Sequence, residues 1–181
     1  MGNTAMRSLT FRVLGGLLAC ACALPAQAAP DNGFGLYAGA LSSRDSTLYG
    51  NSNGGVVAVD AQFMMNDRWS LNPYLLLDSE STDHSFDLQN GEGGLQARYW
   101  LHGTGFMAAQ FLFHDTLLTQ KQGGTVSRSM YGPGIGAAAG WEGDGHWSVM
   151  LTANVFRLGT GYGQPATTRS EAMLLIGYHW Y

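Results

Sequence analysis

The stretch Met173-Leu174-Leu175-Ile176-Gly177-Tyr178-His179-Trp180-Tyr181 decides the fold. Leu174, Ile176, Tyr178 and Trp180 fall on one side and Met173, Leu175, Gly177 and His179 on the other. A period of two with one apolar face is the pattern of a β-strand. The strand ends on aromatics, and as an open edge in water it would be a template for aggregation. Closed into a membrane barrel, the edge disappears and the terminal aromatics join an interfacial girdle.

Upstream, seven more segments alternate in the same way: Gly33–Leu41, Val56–Met64, Trp69–Asp78, Gly91–Leu101, Phe106–Leu118, Gly132–Trp141 and Trp147–Arg157, with Glu171–Tyr181 as the eighth. In Val56–Met64, Val57, Val59, Ala61 and Phe63 oppose Asp60 and Gln62. In Trp69–Asp78, Leu71, Leu75 and Leu77 oppose Asn72, Tyr74 and Asp78. Tight turns fall at Asn66-Asp67-Arg68, His102-Gly103-Thr104 and Gly143-Asp144-Gly145, the last a strong hairpin signal. Longer polar connections fall at 42–55, 79–90, 119–131 and 158–170. Short and long connections in alternation are what eight up-and-down strands require, and segments of about ten residues suit a tilted crossing of roughly 25 Å of apolar thickness. The expected fold is all-β, an eight-stranded antiparallel transmembrane barrel.

The first residues belong to a different element. Arg7 and Arg12 precede an apolar stretch from Val13 to Leu24, and Ala26-Gln27-Ala28 is a small-x-small cleavage pattern. Residues 1–28 therefore read as a cleaved secretory signal peptide, with the barrel at 29–181. Leu17-Leu18-Ala19-Cys20 is a loose lipobox, although Leu18 is large for that pattern. Both cysteines, Cys20 and Cys22, lie within the signal, so the mature chain has neither disulfides nor thiol chemistry. Without Arg7 and Arg12 the balance is 7 basic against 13 acidic residues, or −6, and no basic patch points to nucleic acid. Gly is high at 26 and only 12% of the residues are charged, yet no apolar run after residue 29 is long enough for a spanning helix.

A soluble eight-stranded barrel of the lipocalin kind would turn its polar face outward. That would force Val, Leu, Phe and Trp into a lumen with room for little more than side chains. Aromatics near the short turns, among them Phe34, Trp69, Tyr99, Trp100, Phe106, Trp141, Trp147, Tyr178 and Trp180, read as a girdle, with Tyr181 one residue beyond.

The signal peptide, the eight strands and the Ile176-Gly177-Tyr178-His179-Trp180 ending resemble the small outer-membrane barrels of the OmpX/Ail type and their wider superfamily. The resemblance implies a Gram-negative outer membrane, a monomer, contacts with outer-membrane lipid and lipopolysaccharide, and engagement of the barrel-assembly machinery through the last strand. It implies no cofactor.

Inward positions carry Asp60, Asn72, Asp78, Glu92, Gln96, Arg98, Gln110, His114 and Glu171. A charge inside a barrel must be paired or hydrated. These residues read as a polar plug that pins register, with Arg98 near Asn72, Gln110 and Asp60. The competing reading joins His114 with Glu92, Asp78 or Glu171 as a proton or metal site, and metals need several converging ligands. Arg44, Lys121, Arg128 and Arg169 read as loop cations suited to lipid phosphates.

Enzymes that deacylate or palmitoylate lipid A share this architecture. The first kind carries a His-x-Ser pair, which His146-Trp147-Ser148 matches in letters, but at the short-turn end. The second begins with an amphipathic helix, whereas this chain enters its first strand almost at once. The sequence points to a non-catalytic structural or surface-interaction barrel; the alternatives are a lipid A-modifying enzyme and a narrow solute channel.

Overall fold

The computed structural model describes residues 31–46, 50–82, 86–101, 104–120, 129–159 and 166–181. The region read as a signal peptide, with Cys20, lies outside them, as do Lys121, Arg128 and part of the turn at His102-Gly103-Thr104. The strands are β1 (Gly33–Asp45), β2 (Asn51–Asn66), β3 (Trp69–Thr82), β4 (Phe86–Trp100), β5 (Gly105–Gln120), β6 (Ser129–Glu142), β7 (Trp147–Leu158) and β8 (Thr167–Trp180). Each pairs antiparallel with its neighbour, and β8 returns to β1 with Phe34 opposite Trp180 and Arg44 opposite Ser170. The sheet is a closed eight-stranded barrel, and closure removes both edges.

The period of two sorts the side chains. Leu75, Leu77, Phe111, Ile135, Val155 and Ile176 stand outward and exposed, while Tyr74, Leu76, Leu112, Met173 and Leu175 are buried in the lumen. An exposed belt of large apolar residues around a closed sheet is the surface a membrane barrel presents to lipid. Inside, bulk is matched by glycine. A Cβ at Gly134 would lie 2.2 Å from the Phe156 ring, one at Gly140 2.4 Å from Phe106, and one at Gly177 2.3 Å from Tyr37. The aromatic rings fill the space those glycines leave, as a lumen this narrow demands.

The turns follow local chemistry. Asn66 Oδ1 accepts from the amides of Arg68 (2.9 Å) and Trp69 (3.0 Å), an Asx-turn that closes the β2–β3 hairpin. The β6–β7 turn closes through Gly143 N to Trp147 O at 2.8 Å and holds His146 at φ 65°.

The strands run well past the bounds expected from the sequence. Ser42–Asp45, Asn51–Gly55, Ser79–Thr82 and Asp87–Asn90 were expected in loops and instead lie in the ladder. Their outward residues, including Ser42, Arg44, Asn51, Asn53, Ser79 and Ser81, are polar and exposed. The barrel therefore continues above its apolar belt as a collar of strand with a wettable outer face.

Candidate functional site

Two polar clusters occupy the lumen, separated by a layer that includes Ala58, Tyr74, Leu76, Leu112, Met173 and Leu175. The first lies toward the short turns and is built around Arg98, which alternation on β4 turns inward and buries completely. Its guanidinium forms an ion pair with Asp60 and donates through Nε to Gln96 Oε1. It also donates to Gln62 Oε1 and to the Tyr37 hydroxyl, both at 3.3 Å, and lies 4.7 Å from the centre of the Phe106 ring. Asp60 accepts further from Tyr37 OH at 3.3 Å and Asn72 Nδ2 at 3.4 Å. Ser70 Oγ donates to Asn72 Oδ1 at 2.8 Å and accepts from Trp100 Nε1 at 3.2 Å. His179 bonds the Tyr37 hydroxyl, and its Nδ1 stands 3.6 Å from Glu142. Tyr181 folds under the end of the barrel and donates its hydroxyl to Glu142.

The second cluster lies toward the loop end. Glu92 and His114 are directly opposite in the β4–β5 ladder, with Nδ1 and Oε1 2.8 Å apart. His114 Nε2 meets Thr116 Oγ1 at 2.6 Å. From β8, Arg169 pairs with Glu80 and approaches Glu171 at 3.4 Å. Glu80 also accepts from Ser43 Oγ at 2.5 Å and Ser52 Oγ at 2.6 Å, and Asn90 Nδ2 donates to both Asp78 and Glu80 at 2.5 Å. These bonds cross the lumen from one wall to the other.

All nine inward polar residues named from the sequence, Asp60, Asn72, Asp78, Glu92, Gln96, Arg98, Gln110, His114 and Glu171, are buried in the lumen. Gln110 stands apart from Arg98: the Gln110 and Asn154 amides fill the gap beside Gly136. Arg169 is a correction, since it is neither in a loop nor exposed but buried on β8, where two carboxylates hold it. Arg44 is exposed, on the outward face of β1. Glu80, Asn90, Thr116, Ser43 and Ser52 join the lumen clusters from stretches with no alternating pattern strong enough to mark them, and Arg157 is exposed on β7.

Of the anchor aromatics, Trp69, Trp141, Trp147 and Trp180 are exposed on the outer face. Trp180 stacks on Phe34 at 4.9 Å, and Trp147 meets Tyr178 edge-on at 5.5 Å. Trp100 and Phe106, expected in the girdle, are 2% and 1% exposed inside the lumen. They share the inward parity of Arg98 and Gln110. The His146 and Ser148 of the His-x-Ser match diverge: His146 is exposed in the turn, packed 5.4 Å from the Tyr181 ring, whereas Ser148 is buried in the lumen.

No protein-family model matches the sequence, and no curated protein matches it. Solved structures do match in shape. Ail, the attachment invasion locus protein of Yersinia pestis, superposes with a TM-score of 0.61 at 12% identity over 83% of this chain and 100% of its own. The same protein in complex with the heparin analogue sucrose octasulfate gives 0.57 at 14% identity, covering 83% and 100%. Neisserial surface protein A gives 0.57 at 13% identity, covering 80% of this chain and 96% of its own. Strand number, pairing, closure and the outward apolar belt agree with these matches: the chain has the fold of the small eight-stranded outer-membrane β-barrels.

Proposed function

We propose that the protein is an integral barrel of a Gram-negative outer membrane, exported by a cleaved signal at 1–28, with a structural or surface-interaction role and no catalysis. The observation that carries this reading is the division of the outer face into an apolar belt and a polar collar. Arg44 on β1 lies opposite Ser170 on β8, and Arg157 on β7 lies opposite Thr168 on the same strand. Two exposed guanidiniums thus flank β8 just above the belt, at the height of lipid phosphates. Arginine suits phosphate because its planar fork donates in pairs. Lipopolysaccharide is the partner with that chemistry at that height. The bonded clusters across the lumen support a plug over a channel. A closed sheet has no edge to pair with a second copy, which supports a monomer; β8, the closing strand, is the segment offered to the assembly machinery.

The test is binding to bilayers that contain lipid A. Arg44→Ala with Arg157→Ala is expected to weaken binding about tenfold, near 1.4 kcal/mol, with strong salt dependence in the parent protein. The recovered lipid A should keep its mass. Unchanged affinity in the double variant would remove the phosphate contact, and lipid A that had lost or gained an acyl chain would make the protein an enzyme.

A further inference from the structure

We propose that Glu92, His114 and Glu171 form a binding site for a divalent first-row transition-metal cation inside the lumen. One ligand atom from each lies within 4.8 Å of the other two, and the residues are 3%, 0% and 4% exposed. The strands impose this convergence: Glu92 and His114 are ladder partners, and Glu171 reaches in from β8.

Three further observations point to a cation. Glu92 Oε2 and Glu171 Oε1 are buried, and among the described residues neither has a donor other than a proton the two carboxyls could share. A bare carboxylate oxygen out of water is costly, and a metal ion is one of the few groups that can satisfy two at once. Secondly, charge is out of balance. Asp78, Glu80, Glu92 and Glu171 surround Arg169, which pairs with Glu80 and Glu171, and among the described residues it is the cation that faces them. A divalent ion can stand in for two of the protons that so many carboxyls around one cation would otherwise hold.

The third observation is an outer shell already in place. His114 meets Thr116 Oγ1 through Nε2 at 2.6 Å and Glu92 Oε1 through Nδ1 at 2.8 Å; in the tautomer whose Nε2–H donates to Thr116, Nδ1 is free to ligate a cation beside Glu92. Arg169 beside Glu171 orients the third ligand. Outer-shell partners of this kind fix the tautomer of a ligating histidine and the aim of a ligating carboxylate. One imidazole with two carboxylates suits Zn2+ and its neighbours over Ca2+ or Mg2+, which take oxygen ligands.

The site is tested with Zn2+ on the untagged full chain isolated from membranes, unfolded, and refolded in detergent with the ion. After desalting, elemental analysis is expected to find one Zn2+ per folded barrel and no retained Ca2+. The variant carrying Glu92→Gln and Glu171→Gln removes two buried charges at constant size and should fold normally while losing Zn2+ affinity more than tenfold. His114→Gln, which leaves both carboxylates, should lose the ion as well and decides the matter if the first variant fails to fold. Wild-type barrel without Zn2+, or a folded variant that retains it fully, would overturn the site and leave a proton shared by the carboxylates. Neither result bears on binding at Arg44 and Arg157, which are read independently on lipid A.

Discussion

Arg98→Met is expected to destabilise the folded barrel by about 3–5 kcal/mol, because it leaves Asp60 buried without its ion-pair partner. Among the described residues Asp60 would keep Tyr37 and Asn72 as donors, at 3.3 and 3.4 Å, with His179 Nε2 at 3.9 Å. Asp60→Leu should be comparably costly, since it strands a completely buried guanidinium. The double variant should cost less than the two singles together, because the second change removes the charge the first left unpaired. Urea unfolding in detergent or lipid, run as a double-mutant cycle, measures the coupling. Additive effects would mean that the pair contributes nothing and that Gln62, Gln96 and Phe106 hold Arg98 without it.

Loss of Trp180 and Tyr181 should be more damaging still. Trp180 is the end of β8, it pairs with Phe34 across the closing seam, and the two rings stack at 4.9 Å. Tyr181 ties that end to Glu142 on β6. Removing both opens the seam where β1 begins and exposes unpaired backbone to lipid, where each unsatisfied group costs several kcal/mol. The expected outcome is export without accumulation of a folded, protease-resistant barrel, read as loss of the fast-migrating band on unheated gels. Wild-type amounts of that band would show that closure does not depend on these aromatics.

The eight strands were legible in the sequence because a membrane barrel writes its fold as contrast between neighbours. Leu75, Leu76 and Leu77 run together, but Leu71 and Pro73 against Asn72 and Tyr74 fix which way each points. The Arg98–Asp60 pair was legible for the same reason, since parity gives the face and distance from the short turns gives the height. The contrast fails above the belt. In Ser79-Glu80-Ser81-Thr82 both faces are polar, so nothing in the composition separates strand from loop. What holds that stretch in the sheet is the ladder, with Ser79 opposite Gln89 and Glu80 opposite Leu88, and the inward bonds of Glu80 to Ser43 and Ser52. Arg169 was lost to a loop by the same blindness. Trp100 and Phe106 are a different failure: alternation from Arg98 and Gln110 points both inward, but their position beside a short turn favoured the girdle. Pairing across the lumen, as between Glu80 and Arg169, has no trace in local pattern at all.

Alternate residues of each strand face lipid and a closed interior. Fluorescence in vesicles of brominated lipid, with one tryptophan per barrel, reads that division residue by residue. With Trp69, Trp141, Trp147 and Trp180 changed to Phe, Trp100 reports on the lumen, where it is 2% exposed. With Trp100 also changed to Phe, Leu77→Trp reports on the belt, at a position 71% exposed. Strong quenching of the tryptophan at 77 and little of Trp100 is expected. Equal quenching of both, or none of either, would contradict it.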